Sequence, residues 1–351
     1  MAHKLAFIGF GVVGQGLAEI LRDKKEELLQ GEGFEAEIVA ISDLMKGSIY
    51  HPNGLDIDTA LKVLKETGNL ENYPYTAGLV TGWDSLQTIR ETNADTIIEV
   101  SYTDVKTGQP AIDHCKAAFE NGKNVVMTNK GPVALAYKEL AELADKHGVH
   151  WGFEGTVMSG TPALRMPIAT LAGNDITEIR GILNGTTNYI LTKMEIEGVS
   201  YTEALKEAQE LGYAEADPAS DVEGYDARYK IVILSNYIMN APLLVDEVSC
   251  QGITKITLED IEEAKAEGKR WKLLAKASKN GDKVIASIAP EKVDLTDPLA
   301  SISGATNAIT YECDLLGTVT LSGAGAGKVE TGFSLLIDLI NINRQKQLVK
   351  K

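Results

Sequence analysis

The segment GFGVVG at residues 9–14 constrains the fold more than any other part of the chain. A continuous apolar run, KLAFIGF at residues 4–10, overlaps its start and predicts a short buried strand. Residues 12–29 follow, with apolar side chains at helical spacing. A GxGxxG turn between a strand and a helix lets the backbone approach a pyrophosphate at the helix N-terminus. We therefore predict a dinucleotide site at Gly9, Gly11 and Gly14.

The segments after this turn predict a doubly wound parallel sheet. Further buried strands are expected at residues 36–42, 94–101 and 123–129, with helical segments between them. Strands that alternate with helices in this way are typical of an α/β Rossmann domain, which we place at residues 1–150. A last predicted helix, residues 331–342, has room to pack on either domain.

Beyond about residue 160 the alternation becomes less regular, which predicts a second domain of α+β class at residues 151–330. Strands are expected in TEIRGILNG, KVIASIAP and DLLGTVTLSG. The predicted helices of this domain are residues 202–211, 226–239, 258–267 and 269–279. We expect the second domain to hold the substrate on a mixed or antiparallel sheet.

The charge balance disfavours several partners. Lysine and arginine total 34 residues against 50 acidic ones, for a net charge of −16. Such acidity disfavours nucleic acid and anionic membranes. We find neither an apolar run of about 18 residues nor a signal-peptide pattern, and expect a cytoplasmic protein. Cys115, Cys250 and Cys313 lie far apart, so we expect buried thiols and no zinc site.

Asp43 ends the second predicted strand. An acidic side chain there accepts hydrogen bonds from the adenosine ribose hydroxyls and favours NAD, although an aspartate that only caps the turn fits the pattern nearly as well. Lys46 follows closely enough to accommodate a 2′-phosphate. The choice between NAD and NADP therefore stays open at this stage.

The densest chemistry lies in GYAEADPASDVEGYDARYK, residues 212–230, where five carboxylates require nearby cations. Asp226 and Lys230 are four residues apart and share one face of a helical turn, either as a surface ion pair or as part of a cleft. In a cleft, the lysine can transfer a proton while a hydride moves to or from the substrate carbon. Glu215, with Asp221 or Asp226, would then hold an α-ammonium group.

Two further segments combine small and polar residues. GILNGTTNYILTKM, residues 181–194, either caps the following helix or lines the substrate site. GAGAGK, residues 323–328, either lets the backbone approach a cofactor or forms a flexible turn.

Together these segments resemble homoserine dehydrogenase over nearly the whole chain. The specific motifs are GILNGTTNYIL and GYAEADPASDVEGYDARYK, supported by EVSYTDVKTGQPA at 99–111 and TNKGPVAL at 128–135. The resemblance implies interconversion of L-homoserine and L-aspartate 4-semialdehyde with NAD or NADP, in threonine and methionine biosynthesis. It also implies a homodimer formed through the second domain and a short form without a C-terminal regulatory domain.

The resemblance assigns roles to individual residues. It places Lys230 at the proton donor and Lys130 between nicotinamide and substrate. Substrate-binding positions correspond to Glu215 and Asp226, with Asp221 nearby. Cofactor-contacting positions, in addition to the glycines, correspond to Phe10, Val13, Ser101, Thr103, Lys130, Gly212 and Gly327. The proposed chemistry requires the Lys230 amine to face the bound nicotinamide.

A structural sodium ion is also implied by the resemblance, bound by one carboxylate and backbone carbonyls. The corresponding residues are Glu154, Val157, Ser159 and Thr161, in a segment, VMSGTP, that departs from the glycine-rich sequence usual in the family. This departure motivates an alternative, a dehydrogenase of another small hydroxy or amino acid. A third hypothesis is a non-catalytic nucleotide-sensing protein that keeps the Rossmann fold.

Overall fold

The computed structural model describes residues 2–281 and 283–349. The chain divides into two compact units. The first comprises Met1–Thr156 together with Gly327–Lys351, and the second comprises Val157–Ala326. The chain therefore leaves the first unit once and returns to it at the glycine-rich segment near residue 327.

The first unit contains a seven-stranded sheet in the order β4-β3-β2-β1-β5-β6-β7. Strands β1, β2, β5, β6 and β7 pair in parallel, which confirms the predicted doubly wound sheet. Strands β3 and β4 add an antiparallel edge that the sequence pattern did not predict. The strands are β1 (His3–Ile8), β2 (Ala36–Asp43), β3 (Gly47–Tyr50), β4 (Val80–Thr81), β5 (Thr96–Glu99), β6 (Asn124–Met127) and β7 (Trp151–Gly152).

Six helices connect these strands. They are α1 (Val12–Asp23), α2 (Lys25–Glu32), α3 (Ile57–Thr67), α4 (Ser85–Glu91), α5 (Ala111–Glu120) and α6 (Lys130–His147). Helix α1 turns Leu17 and Leu21 into the core, where they join Phe7 and Phe10 in one apolar cluster. Burial of each such side chain contributes about 1.5–3 kcal/mol, so this cluster fixes the glycine turn between β1 and α1.

The second unit contains a six-stranded sheet in the order β13-β12-β8-β10-β11-β9. It is antiparallel except for the short parallel pair of β9 and β11. Its strands are β8 (Ile176–Ile182), β9 (Ser249–Cys250), β10 (Lys269–Asn280), β11 (Lys283–Asp294), β12 (Thr306–Cys313) and β13 (Gly317–Ala324). Its helices are α7 (Arg165–Thr170), α8 (Gly185–Glu197), α9 (Tyr201–Glu210), α10 (Ala219–Val222), α11 (Tyr225–Tyr237) and α12 (Leu258–Ala266).

One predicted element of this unit is wrong, because residues 269–279 form strand β10 and not a helix. Their lysines, leucines and alanines are good helix formers, and local propensity favoured a helix. Twelve consecutive residues pair instead with β11, and Ala275–Ser278 also pair with β8. The strand is buried between two neighbours, so sheet pairing outweighs a propensity difference of less than about 1 kcal/mol per residue.

The last helix, α13 (Lys328–Val349), belongs to the first unit and packs on α1. A Cβ on Gly16 would lie 2.5 Å from the Lys328 carbonyl oxygen, so the helices meet at a position that excludes a side chain. The Lys328 amine donates to Glu19 at 2.8 Å, and Leu335 and Leu339 are fully buried. Within the described ranges, every helix is too short or too polar to span a bilayer.

Candidate active site

The glycine turn leaves space at only one of its three glycines. Gly9 has a left-handed φ of +88°, and a Cβ there would lie 2.5 Å from the Val100 carbonyl oxygen. A Cβ on Gly14 would lie 3.1 Å from the Gly9 carbonyl oxygen. A Cβ on Gly11, at the N-cap of α1, would have no heavy atom within 4 Å. Gly9 and Gly14 therefore serve close packing, while Gly11 leaves the helix N-terminus open to an anion.

Phe10 and Val13 flank this opening differently. The Phe10 ring is fully buried and packs edge-to-face on Phe7, with ring centroids 5.6 Å apart. Val13 is half-buried at the start of α1. Since the Phe10 side chain lies in the core, only its backbone is available to a ligand.

Asp43 holds the glycine turn directly. Its Oδ2 accepts a hydrogen bond from the Phe10 backbone N–H at 2.7 Å, and its Oδ1 accepts from the Met45 and Lys46 N–H groups at 3.0 and 3.1 Å. Burial alone would raise the pKa of this carboxyl, but these hydrogen bonds and the Lys46 ammonium lower the pKa below its usual value. The side chain is therefore anionic at neutral pH and occupied on both oxygens.

The carboxyl ends of β5 and β6 carry the remaining predicted cofactor residues of the first unit. The Ser101 hydroxyl donates to the Glu99 carboxylate. The Asn129 amide donates to the same carboxylate and, at 3.0 Å, to the Ser101 carbonyl. Lys130 is half-buried as the first residue of α6. The Thr103 hydroxyl oxygen is buried and has no hydrogen-bond partner among the described residues.

In the second unit, α11 presents a buried lysine. Lys230 is 8% exposed, and its amine donates to Asp226 Oδ2 at 2.6 Å and to the Leu183 carbonyl at 2.7 Å. The ion pair predicted from the four-residue spacing is therefore present, and its side chains are only 10% and 14% exposed, so it is not a surface pair. An amine with two fixed acceptors has a defined position, as proton transfer requires.

Asn184 links Asp221 and Asp226, the aspartates predicted to bind substrate, to the start of α8. Its amide nitrogen donates to Asp221 Oδ1 at 2.7 Å and to Asp226 Oδ2 at 3.1 Å. Its amide oxygen accepts from the Thr187 backbone N–H at 2.9 Å, which fixes the orientation of the amide. Burial, together with the nearby Asp226 carboxylate, raises the pKa of Asp221. We predicted either a cap or a substrate-site role for this segment, and Asn184 caps α8 while contacting both carboxylates.

Comparison with known proteins identifies the family. The NAD-binding domain of homoserine dehydrogenase matches residues 9–154, and the homoserine dehydrogenase model matches residues 162–340. The NAD(+)-dependent homoserine dehydrogenase of Pseudomonas canavaninivorans is 44% identical, over 97% of this chain and 96% of the relative. The chain belongs to the homoserine dehydrogenase family.

Two further relatives agree with this membership. Homoserine dehydrogenase from Methanocaldococcus jannaschii is 43% identical, over 96% of this chain and 98% of the relative. A hyperthermophilic archaeal homoserine dehydrogenase, solved in complex with NADPH, matches with a TM-score of 0.83 and 31% identity over 98% of both chains. The chain is an NAD(P)-dependent oxidoreductase that acts on a CH–OH group. Membership in this family confirms the first of our three hypotheses, homoserine as the substrate, over another small hydroxy or amino acid.

Three of the predicted site residues lie apart from these clusters. Glu215 is exposed in the loop after α9, and no hydrogen bond or ion pair of the described residues joins its carboxylate to Lys230 or Asp226. Gly212 has a φ of +77° just beyond the end of α9. Gly327 has a φ of +143° at the start of the returning segment. Their roles stay predictions.

The residues predicted to bind sodium are distributed over both units. Glu154 is buried in the first unit, and its backbone N–H donates to Asp338 at 2.9 Å. Val157 and Ser159 are buried in the second, and Thr161 donates to the Ala324 carbonyl at 3.1 Å. Met158 and Ser159 are both left-handed, which costs about 1–3 kcal/mol each and marks a constrained turn. The sodium ion stays a prediction. It is tested by comparing the melting temperature of the protein in Na⁺ with that in K⁺.

Proposed function

We propose that Lys230 transfers the proton when the enzyme interconverts L-homoserine and L-aspartate 4-semialdehyde. A bound nicotinamide supplies or removes the hydride at the carbon that bears the oxygen. Lys230 protonates the alkoxide during reduction, and the neutral amine accepts the hydroxyl proton during oxidation. Because oxidation of the hydroxyl group releases a proton, we expect homoserine oxidation to be favoured at alkaline pH.

The observation that carries this proposal is the donor count at Lys230. An ammonium group has three N–H donors. Asp226 and the Leu183 carbonyl accept two of them. No further acceptor for this amine is found among the described residues, which leaves the third N–H for a substrate oxygen, and the two fixed acceptors keep it aimed in one direction. The test is an initial-rate assay with L-homoserine and each cofactor, combined with the Lys230 variant argued in the Discussion.

We also propose that Asp221 and Asp226 bind the α-ammonium group of the substrate, with Glu215 as the third predicted contributor. Two carboxylates bonded to one asparagine amide repel each other, and burial adds to this cost. The Lys230 ammonium brings one positive charge to these two carboxylates. A cationic ammonium group from the substrate would compensate the second, which favours an amino acid over a plain hydroxy acid.

For the cofactor, we propose that Asp43 gives a preference for NAD over NADP. Its anionic carboxylate lies at the glycine turn and repels a 2′-phosphate. Asp43→Asn keeps one acceptor oxygen for the turn and removes the charge. Because the repulsion of the 2′-phosphate is lost, we expect the ratio of kcat/KM for NADP⁺ to that for NAD⁺ to rise at least tenfold. A tenfold change corresponds to about 1.4 kcal/mol.

The matched control for this experiment is Glu66→Gln, which removes a carboxylate charge from the exposed surface of α3. It should leave the cofactor ratio unchanged. An unchanged ratio in Asp43→Asn as well would contradict the proposed role of Asp43, whichever cofactor the wild-type enzyme prefers.

We further propose a homodimer formed through the second unit, as the family resemblance implies. The eight-residue strand β13 forms one edge of the second sheet, and Leu315 and Leu316 are exposed in the turn before it. An unpaired edge beside exposed leucines is suited to association. Light scattering is expected to give twice the mass of one chain, and a monomeric mass at assay concentration would contradict the proposal.

The compartment that we propose is the cytoplasm. Cys115, Cys250 and Cys313 are all free thiols, and Cys115 is fully buried. Free thiols suit a reducing compartment, where disulfides are rare.

A further inference from the structure

A buried carboxylate in the first unit has no place in the chemistry described so far. Glu99 is the last residue of β5 and is 0% exposed. Three side chains donate to it: the Ser101 hydroxyl, the Asn129 amide and, at 3.1 Å, His114 Nδ1. A buried charge is costly unless several donors satisfy it, and Glu99 has one donor from each of three segments.

Two of these three segments carry predicted site residues, Ser101 as a cofactor contact and Lys130 between nicotinamide and substrate. Ser101 lies in the loop after β5, and its backbone also borders the glycine turn, since a Cβ on Gly9 would lie 2.6 Å from the Ser101 nitrogen. Asn129 is the N-cap of α6 and immediately precedes Lys130. Glu99 therefore joins, through single side-chain hydrogen bonds, the loop of Ser101 and the start of the helix of Lys130.

A second acceptor shows which atom of the Asn129 amide faces Glu99. Its nitrogen also donates to the Ser101 carbonyl, which can only accept. Asn129 does not cap α6 with its side chain, so its amide is committed to Glu99 and Ser101. The position at which α6 begins is thus determined by this cluster and not by the usual N-cap hydrogen bond.

We propose that Glu99 is a positioning residue of the reaction, which fixes Ser101 and Lys130 relative to each other through Ser101 and Asn129. This inference rests on the roles proposed for Ser101 and Lys130. Glu99 itself touches neither substrate nor reacting atoms. Its effect is geometric, because a shift of about 1 Å in a reacting group lowers turnover by about 100-fold.

The test is Glu99→Gln, which keeps the shape of the side chain and replaces one acceptor oxygen by an amide that only donates. At least one of the three donors then loses its acceptor. We expect kcat for homoserine oxidation to fall by about 10- to 100-fold, with KM for homoserine changed less than about threefold. Asn129→Ala should show the same division between kcat and KM, and it tests the proposal if Glu99→Gln does not fold.

The control for lost stability is Thr96→Val at the opposite end of the same strand. Thr96 is also 0% exposed and is bonded to His3 at 2.6 Å and to Asn124 at 3.3 Å. The Thr96→Val substitution breaks a buried polar cluster of similar size, away from the carboxyl edge of the sheet. Per folded molecule, Thr96→Val should keep the wild-type kcat, and a kcat of Glu99→Gln equal to that of Thr96→Val would overturn the proposal.

A double variant tests whether Glu99 acts through Asn129. In Glu99→Gln/Asn129→Ala, kcat should fall little further than in either single variant, because both remove the same hydrogen bond. Losses that multiply would overturn this route. The kcat values of Ser101→Ala and Lys130→Ala, measured in parallel, separate failure of the proposed site roles from failure of the positioning role of Glu99. If both keep full activity, the proposed site roles fail, whereas if they lose activity and Glu99→Gln does not, only the positioning role fails.

Discussion

Lys230→Ala is expected to lower kcat for homoserine oxidation by about 10²–10⁴-fold, the usual contribution of a positioned proton-transfer group. The variant removes the amine that donates to both Asp226 and the Leu183 carbonyl. The glycine turn belongs to the other unit, so KM for the cofactor should change less than about threefold. Steady-state rates at saturating homoserine, with the cofactor concentration varied, measure both quantities.

A buried lysine can also serve stability, and the chain offers a matched control. Lys272 in β10 is 2% exposed, and its amine donates to Asn188 at 3.0 Å and to the Ile302 carbonyl. Burial lowers the pKa of Lys272 to about 8. Its partners do not include the carboxylates proposed to bind substrate, so Lys272→Met should lower the melting temperature and keep kcat. Turnover of Lys230→Ala within tenfold of wild type would exclude Lys230 as the proton donor.

The predictable parts of the site are those whose partners are close in sequence. The strand, glycine turn and helix at residues 4–29 form one continuous pattern. Asp226 and Lys230 are joined by helical spacing, and the structure has their ion pair at 2.6 Å. In both cases a local period determines which side chains meet, and the chemistry follows from residue type.

The remaining parts depend on contacts between distant residues. Asn184 reaches carboxylates 37 and 42 residues away, and Glu99 meets Asn129 across 30 residues. No local pattern marks these partners before the strands are placed. Strand β10 was predicted as a helix for the same reason, because the strands that outweigh its helix propensity lie elsewhere in the chain.

Gly11→Ala and Gly9→Ala are expected to fail in opposite ways, although both belong to the same motif. A methyl group on Gly9 would lie 2.5 Å from a backbone oxygen at a left-handed φ of +88°, so this variant should lose about 1–3 kcal/mol of folding free energy. A methyl group on Gly11 meets no atom within 4 Å at an ordinary φ of −77°. Its stability should stay within about 0.5 kcal/mol of wild type.

Gly11→Ala, which should hardly change stability, is expected to weaken cofactor binding strongly. The space in front of Gly11 lets the backbone approach the pyrophosphate, and a methyl group there holds the phosphates away from the α1 N-terminus. We expect the cofactor Kd to rise at least tenfold, about 1.4 kcal/mol, in a titration followed by nicotinamide fluorescence.

Gly31→Ala is the control for adding a methyl group, since Gly31 is exposed in α2 and also has open space around it. Alanine favours a helix over glycine by about 1 kcal/mol, so this variant should be as stable as wild type or more stable, with unchanged cofactor Kd. A Gly11→Ala protein that binds cofactor as tightly as Gly31→Ala would show that the pyrophosphate does not lie at this turn. A melting temperature of Gly11→Ala as low as that of Gly9→Ala would contradict the prediction that a methyl group fits at Gly11.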